Sequence, residues 1–346
     1  MKPQFIAGLA DGQVVSSLFL VREKEIRTSV RSGKSWLELN LADRSGSISA
    51  KMWDNFETLA KTFELDDVVR VRGRVKVYNG QKELALEQII PASDNEYDLA
   101  DFLPHTKHDV EKLYASVRVA IEGMNNPWLR KLLLSIVEDP DIAPRLKRAP
   151  AAMTMHHAYL GGLLEHVWSL VGLAAAVSAH YPELDADLLL AGVVLHDIGK
   201  LDELRYARGI DYSDKGRLLG HIMIGVRLVQ EKCRAIAGFP APLAVLLEHL
   251  IVSHHGTHEF GSPSLPQFPE AVMLHLIDDM DSKMAAMKAT LDAASASGWS
   301  GNWTDRNPSL RRALLRAARY LATPNASETP GAAAPRAAPA AGTRKE

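Results

Sequence analysis

Cysteine is almost absent from this 346-residue chain, which has a single one, Cys233. One cysteine cannot form an internal disulfide, so a disulfide-stabilised scaffold is excluded and a reducing compartment, the cytoplasm, is favoured. An excess of charge is also missing, because 40 lysines and arginines face 42 acidic residues. Any surface for nucleic acid must therefore be local. The N-terminus has no apolar stretch followed by a cleavage site, so we expect no signal peptide.

A clean apolar run of membrane-spanning length is missing as well. The nearest approach, residues 159–179, is rich in Leu, Ala, Val and Gly but contains Glu165 and His166. An ionisable group at the centre of a bilayer costs at least ~2.5 kcal/mol. We therefore expect a buried helix that carries a polar site, and no membrane contact.

The composition of the chain is that of a globular protein, with 47% hydrophobic and 24% charged residues. At about 150 residues per domain, its length suggests two or three domains. Residues 13–92 have the pattern of β-strands, because polar and apolar residues alternate in three segments. These are residues 35–41, 48–53 and 69–78. Turn sequences separate the strands, among them residues 31–34 and an Asn79-Gly80 pair suited to a tight hairpin.

A short helical stretch, residues 55–62, falls between the third and fourth predicted strands. Five short strands with one helix after the third are the order of an OB-type β-barrel. Helical sequence dominates from residue 109 onward, with prolines between the runs. The predicted helices are residues 109–123, 128–137, 155–179, 185–196, 217–235, 241–253, 269–291 and 308–321.

The predicted fold class is therefore multidomain α and β, an N-terminal OB-type barrel followed by an all-α domain. We predict four parts along the chain. They are a nucleic-acid-binding barrel over 13–92, a linker with connecting helices over 93–150, the all-α domain over 151–322 and a disordered Ala/Pro-rich tail over 323–346.

Histidine is the unusual component of the sequence, with 13 residues. Several histidines and aspartates stand singly on or at the ends of apolar helices, where desolvation is costly unless a partner compensates. They are His166, His196, Asp197, His221, His254, His255 and Asp278. For any one of these histidines alone, a hydrogen-bonded core residue is the better interpretation. Together they predict a metal site, because imidazole and carboxylate ligands suit divalent ions such as Zn, Mn, Fe and Co.

Four of these residues, in their order along the chain, match an H…HD…D signature. They are His166, His196, Asp197 and Asp278. This order resembles the HD-domain metal-dependent phosphohydrolases. The resemblance implies two divalent ions, with Mn, Co, Fe, Mg and Zn as candidates. The implied ligands are His166, His196 and Asp278 for the first ion, His221, His254 and His255 for the second, and Asp197 as the bridge. Asp279 and Asp281 compete with Asp278, which has the matching register.

The implied chemistry is metal-assisted hydrolysis of a phosphoester. Cations polarise a phosphoryl oxygen, lower the pKa of a bound water and hold the attacking and leaving oxygens in line. Asp197 is the central predicted catalytic residue. Lys200, three residues further on, is placed to contact a phosphate. A solvated lysine at a helix end is an equally good alternative for Lys200.

Longer stretches of the sequence resemble one particular branch of the HD-domain phosphohydrolases. They are residues 156–166, 253–256 and 259–263, and residues 39–46 leading to Trp53-Asp54. These stretches resemble the YhaM-type 3′→5′ exoribonucleases of bacteria, which join an OB fold to an HD domain. The resemblance covers residues 13–320 and implies release of 5′-mononucleotides from single-stranded RNA, and for some members from DNA.

Two further histidines, His156 and His157, precede His166 by about ten residues. We assign a substrate-pocket role to His157 as a hypothesis. A purely structural role at the start of a helix is the alternative.

The outer face of the barrel is predicted to bind the substrate strand. If Leu37, Leu39 and Leu41 point inward, their neighbours point outward. The outward substrate-binding candidates are Trp36, Lys51, Trp53, Arg70, Arg72, Arg74, Lys76 and Tyr78. Four of them are successive cations on one strand face with no acid among them. OB folds hold single strands with cations for phosphates and aromatic rings for bases. The alternative is the solvated side of a half-buried sheet.

The sequence thus predicts a cytoplasmic, metal-dependent 3′→5′ exonuclease acting on single-stranded RNA, with single-stranded DNA as a further candidate substrate. Two alternatives stay open. One is an HD phosphohydrolase or phosphodiesterase acting on small nucleotides. Residues 254–263, however, lack the Gly-Tyr-Pro motif of the HD phosphodiesterases that act on cyclic dinucleotides. The other is a non-catalytic RNA-binding protein. A homo-oligomer is compatible with each.

Overall fold

Five strands near the N-terminus close into a barrel in the computed structural model, which describes residues 2–29, 33–78, 81–153, 157–206, 209–296 and 298–322. The strands are β1 (Val14–Thr28), β2 (Ser35–Asp43), β3 (Gly46–Met52), β4 (Val68–Tyr78) and β5 (Gln81–Pro91), with the short helix α1 (Phe56–Leu59) between β3 and β4. Their order around the barrel is β1-β2-β3-β5-β4. All pairs are antiparallel except β3 with β5. The prediction of an OB-type barrel is confirmed.

The alternation of the strands decides which side chains fill the barrel. Leu37, Leu39 and Leu41 of β2 are fully buried, as predicted, because successive residues of a strand point to opposite faces. Phe19 of β1 and Phe63, which follows α1, pack in the same core. The predicted turn Asn79-Gly80, residues 31–32 of the turn before β2, His156 and the tail 323–346 lie outside the described residues.

Helices make up most of the remaining chain, as predicted. They are α2 (Val110–Glu122), α3 (Pro127–Val137), α4 (Ala143–Arg148), α5 (Gly162–His180), α6 (Ala186–Leu195), α7 (Lys200–Glu203), α8 (Asp214–Ala235), α9 (Ala241–Ser253), α10 (Pro269–Ala296) and α11 (Ala317–Ala322). A two-stranded sheet, β6 (Leu204–Arg205) with β7 (Asp211–Tyr212), lies between α7 and α8. The chain divides into two compact units, Met1–Ala285 and Ala286–Glu346. The predicted domain bounds themselves stay a prediction.

Two predicted helices differ from the structure. The helix predicted from residue 155 begins at Gly162, because His157 and Gly161 both have a positive φ, 51° and 78°. The helix predicted over 308–321 is helical only over Ala317–Ala322. Arg311, with a φ of 53°, interrupts it, since a left-handed residue cannot continue a right-handed helix.

One buried cluster joins the barrel to the helical part of the first unit. Its barrel side is Leu18, Leu20 and Val68, and its other side is Phe102, Leu103 and Leu160. A larger core fills the space between helices α2 to α10. The barrel and the helices of this unit therefore share buried apolar surface.

Helix α5 is long and apolar enough to cross a membrane by length and composition alone. Its Leu163, Leu164, Val167 and Leu170 belong to the large helical core. Core helices of folded proteins pass the same test, so this finding is weak evidence for a membrane span. His166 is buried on the same helix and belongs to the site described next.

Candidate metal centre

The structure brings together the seven predicted metal ligands. Three of them lie on helices, and four lie in the turns that follow two other helices. His166 lies on α5, His196 and Asp197 follow α6, His221 lies on α8, His254 and His255 follow α9, and Asp278 lies on α10. Distant sequence positions thus meet because the apolar faces of these helices pack in one core. Their imidazole and carboxylate groups form two adjoining clusters.

The first cluster gathers around two fully buried imidazoles. Nε2 of His166 lies 3.3 Å from Nε2 of His196 and 3.2 Å from Oδ1 of Asp278. Nε2 of His196 lies 3.3 Å from Oδ2 of Asp197. Two nitrogens and two carboxylate oxygens at this spacing are a donor set that one divalent cation can take.

The second cluster adjoins the first through the other oxygen of Asp197. Oδ1 of Asp197 lies 3.6 Å from Nε2 of His221 and 3.7 Å from Nε2 of His254. Within the described ranges, these three buried atoms have no hydrogen-bond partner. An unsatisfied buried polar atom costs about 1–3 kcal/mol, so three of them converging fit a cation site. His255 offers a ligand atom to the same group.

Asp197 lies between the two clusters and is held ionised. Burial alone would raise the pKa of Asp197, but Lys200 and His196 hold it well below its ordinary value. Nζ of Lys200 donates to Oδ2 of Asp197 at 2.6 Å. Burial opposes the charge of Lys200, and Asp197 outweighs it and raises the pKa of Lys200. Lys200 is therefore part of the centre and is not a solvated lysine.

The histidines of the centre differ in their protonation. Burial would lower the pKa of His166, but the carboxylates of Asp278 and Asp281 outweigh it and raise this pKa to about 9. Burial and the neighbouring His196 hold the pKa of His254 well below its ordinary value. A cation that binds Nε2 of His166 below that pH must therefore displace a proton, because metal-bound imidazole is neutral.

Every histidine of the centre has its Nδ1 atom held by a hydrogen bond. For three of them the partner is a backbone carbonyl oxygen, at 2.7–2.9 Å from Nδ1. The carbonyl of Val193 holds His196, that of Ile251 holds His254 and that of Phe260 holds His255. Carboxylates hold the other two, Asp281 for His166 at 2.8 Å and Glu203 for His221 at 3.1 Å. Fixing Nδ1 turns Nε2 toward the cluster, as in known metal sites.

Sequence reasoning missed the roles of Asp281 and Glu203. Asp281 lies three residues after Asp278 on α10, so both carboxylates share one face of the helix. That spacing is a signal that could have identified Asp281. Glu203 carries no comparable signal, because its contact with His221 depends on how α7 packs against α8.

Two glycines allow His221 to reach the centre. Gly220 has a φ of 68° and a ψ of 159°, which interrupts α8 directly before His221. The backbone N–H of His221 thereby donates to Oε1 of Glu203 at 3.0 Å. A Cβ atom on Gly199 would lie 2.0 Å from the carbonyl oxygen of His221. Only glycine permits this approach of α7 to α8.

His157 lies beside the first cluster without joining the signature residues. Its Nε2 is 3.4 Å from Oδ2 of Asp281, and its Nδ1 forms a 2.8 Å hydrogen bond with Tyr159. Its ring centroid is 5.6 Å from that of His166. His157 precedes α5 and does not belong to the helix. Its substrate role stays a prediction.

On the barrel surface, the two predicted tryptophans form a pair. The ring centroids of Trp36 and Trp53 are 5.0 Å apart, and Trp53 is half exposed. Lys51 of the same strand region pairs with Glu83 at 2.6 Å. Nε1 of Trp36 donates to Glu38 at 3.3 Å. This face of β2 and β3 therefore mixes aromatic rings with both signs of charge.

The cations of β4 lie on a different part of the barrel. Arg70, Arg72, Arg74 and Lys76 are all exposed, as the alternation predicts. Acids from elsewhere nevertheless accompany them, since Arg70 contacts Glu96 at 2.5 Å and Arg72 contacts Glu87 at 3.7 Å. Strand β1 on one side and β5 on the other separate β4 from β2 and β3. The side chain of Tyr78 lies outside the described residues.

Two protein-family models match this chain, one over the barrel and one over the helical part. Residues 20–92 match the model of an OB-fold nucleic acid binding domain, and residues 163–283 match the HD domain. Fold and site together define an HD-domain metal-dependent phosphohydrolase joined to an OB fold. Divalent metal dependence follows from the HD domain.

Two curated relatives align with most of the chain. The 3′-5′ exoribonuclease YhaM of Bacillus velezensis is 37% identical over 85% of this chain and 92% of the relative. YhaM of Bacillus subtilis is 35% identical over the same shares. The chain belongs to the YhaM family of 3′-5′ exoribonucleases. The predicted family is confirmed.

Proposed function

We propose that this chain is a divalent-metal-dependent 3′→5′ exonuclease that hydrolyses single-stranded RNA to 5′-mononucleotides. One observation carries the proposal: three buried polar atoms without partners in the described chain, from Asp197, His221 and His254, converge beside the cluster of His166 and His196. A structural histidine cluster would satisfy these atoms. Membership of the YhaM family supplies the substrate and the direction.

The ligand assignment is part of this proposal. The first cation would be held by His166, His196 and Asp278, the second by His221, His254 and His255, with Asp197 shared by both. When bound, the cations polarise a phosphoryl oxygen and lower the pKa of water. The nitrogen-rich second set favours Mn, Fe, Co or Zn over Mg, because Mg prefers oxygen ligands.

The residues around the ligands prepare the site for a phosphodiester. Asp281 and Glu203 fix the rings of His166 and His221, so little reorganisation is needed at the moment of reaction. Lys200 stands 2.6 Å from Asp197 and can turn its ammonium toward a phosphate oxygen. His157 borders the first cluster and is the proposed contact to the terminal nucleotide.

The barrel would hold the strand that the helical domain cuts. Stacking of a base on the pair of Trp36 and Trp53 is the proposed aromatic contact, and the β4 cations are proposed to hold phosphates. Since β4 is not adjacent to β2 or β3, the strand must wrap the barrel to use both. Single-stranded DNA is a second proposed substrate. A cytoplasmic location is proposed from the single, buried Cys233.

Metal content and product identity test the proposal. The purified protein should contain two divalent ions per chain, and 5′-end-labelled RNA should shorten stepwise to leave 5′-mononucleotides. His221→Ala, which removes a ligand of the second cluster only, should bind about one ion. The protein should release mononucleotides at least tenfold faster from single-stranded RNA than from duplex RNA or from a dinucleotide. Faster turnover of small nucleotides would contradict the exonuclease assignment, and one ion in the wild type would make the second cluster structural.

A further inference from the structure

Two tryptophans of the second compact unit are exposed in a way that its core does not require. In this unit Ala286, Leu310 and Leu314 form a small buried cluster. Trp299 and Trp303 lie outside this cluster, with 50% and 57% of their surface exposed. Large exposed aromatic side chains close together mark an interaction surface more often than a solvated one.

The same stretch of chain is strongly basic, although the whole protein is not. Residues 298–320 contain five arginines against one acidic residue, a formal charge of +4, while the whole chain has −2. Arg306, Arg311 and Arg312 are exposed and form no ion pair with the described residues. The charge here is therefore available to an anionic partner.

Hydrogen bonds hold this stretch in one arrangement. Nε1 of Trp299 donates to the carbonyl oxygen of Trp303 at 2.7 Å. Arg316 donates to the carbonyl oxygens of Trp299 at 2.6 Å and Gly301 at 3.3 Å. A Cβ atom on Gly301 would lie 2.6 Å from Nε1 of Trp299, so the indole lies directly against the backbone there. A ring fixed before binding loses little entropy on binding.

We propose that residues 298–320, the tryptophan–arginine segment, form a second contact for single-stranded RNA. Trp299 and Trp303 stack on bases, and Arg306, Arg311 and Arg312 contact phosphates. Exposed aromatic rings beside cations that form no ion pair are how proteins bind single strands without reading their sequence. The formal charge favours a polyanion over a second copy of a chain whose own net charge is close to zero. The inference rests on RNA being the substrate, as proposed above.

Binding of RNA without cleavage tests the aromatic part. In the full chain carrying Asp197→Asn, a fluorescein-labelled 20-nucleotide oligouridylate reports Kd by anisotropy. Trp299→Ala and Trp303→Ala should each raise Kd about tenfold, the equivalent of about 1.4 kcal/mol for one stacked base. Trp303→Phe should restore most of the affinity. Tyr181→Ala removes another exposed aromatic ring, on the first unit, and should leave Kd unchanged.

The salt dependence of binding tests the cations. Removing one cation that neutralises a phosphate should reduce the log–log slope by about 0.7 for single strands, so the pair Arg311→Glu and Arg312→Glu should reduce it by about 1.4. The pair Arg227→Glu and Arg234→Glu makes the same change in net charge on exposed residues of α8. It should leave the slope unaltered.

Photocrosslinking of the unmodified protein to 4-thiouridine RNA covers the case in which a variant does not fold. Crosslinks in the peptide that contains Trp299 and Trp303 would support the proposal. Unaltered Kd and slope in the variants, with no crosslink there, would overturn it. A changed oligomeric mass at unaltered RNA affinity would overturn it in favour of a protein interface. If RNA binds to this segment as expected but the wild-type protein with divalent metal does not hydrolyse it, the proposed function fails and the binding segment stands.

Discussion

At the scale of single residues, Asp197 is the point on which both clusters depend. Its two oxygens face different histidines, Oδ2 toward His196 at 3.3 Å and Oδ1 toward His221 at 3.6 Å. An amide has the same shape but cannot supply a negative charge to two cations. The side chain is also buried, so the missing charge cannot be replaced by water.

Asp197→Asn should therefore reduce RNA hydrolysis by roughly 10²-fold or more while RNA affinity changes by no more than a few-fold. Initial rates of mononucleotide release and anisotropy on the same RNA check the two parts. Asp279→Asn is the matched control, because Asp279 contacts Lys283 on the outer side of α10. Retention of more than about a tenth of wild-type turnover in Asp197→Asn would remove Asp197 from the centre of the mechanism.

A second prediction at this scale concerns Cys233. Burial, with a contribution from Glu248, raises the pKa of the Cys233 thiol to about 11. The thiolate is the reactive form, so a raised pKa lowers reactivity at every pH below 11. At pH 8 only about a thousandth of the thiol should be ionised, against about a quarter for an ordinary cysteine.

Alkylation of the native protein by iodoacetamide should consequently be slow and rise about tenfold per pH unit from pH 7 to 10. The urea-unfolded protein should react as free cysteine does. Mass spectrometry of the modified fraction over time measures both rates. A native rate that levels off near pH 8.5 would show that the thiol is not shifted.

At the scale of elements, the break in α8 determines whether His221 reaches the centre. The φ and ψ of Gly220 fall in a region that only glycine occupies at low cost. The space around Gly220 is open, since a Cβ atom would meet nothing nearer than Oε1 of Glu203 at 4.0 Å. Backbone strain is therefore the only penalty of a methyl group here.

Gly220→Ala should lower the free energy of unfolding by about 1–3 kcal/mol and weaken binding of the second metal. Gly172→Ala is the matched control on α5, where the added Cβ meets nothing within 4 Å. Because Gly172 has ordinary helical geometry, that change should raise stability by about 0.5–1 kcal/mol. Urea unfolding with a chelator present compares the two. Equal effects of the same sign would contradict the assigned strain.

At the scale of the whole molecule, the first unit should behave as one cooperative body. Phe102 is 1% exposed and packs between Leu20 of the barrel and Leu160 before α5. Removing such a buried ring costs about 3–5 kcal/mol. The destabilisation should affect barrel and helices alike, because both contribute to that cluster.

Pulse-labelling hydrogen exchange of wild-type protein in chelator should show the barrel strands and the helices of the first unit losing protection in a single urea transition. Phe102→Ala should lower the midpoint for the strands and the helices together. Val119→Ala, which truncates a side chain 65% exposed on α2, should change stability by less than about 0.5 kcal/mol. Two separate wild-type transitions would show that the barrel and the helices fold independently.

Much of the fold was predictable from the sequence, and the seven residues predicted as metal ligands do lie close together, although their roles as ligands stay a prediction. Strand alternation is a local property, so the burial of Leu37, Leu39 and Leu41 could be predicted without knowing the strand order. The chemistry of His196-Asp197 at the end of an apolar helix is likewise a property of the chain itself. The predicted helix over 308–321 was wrong, because apolar spacing does not reveal that Arg311 takes a left-handed conformation.

The sequence by itself determined the order of the elements, the barrel interior and the kinds of side chain that meet at the centre. Only the tertiary structure decided that Asp281 and Glu203 orient His166 and His221, and that β1 and β5 separate the β4 cations from the tryptophan pair. The physical reason is range. Hydrophobic period and ligand chemistry act within a few residues, whereas contacts between groups up to 115 residues apart depend on how helices and strands pack.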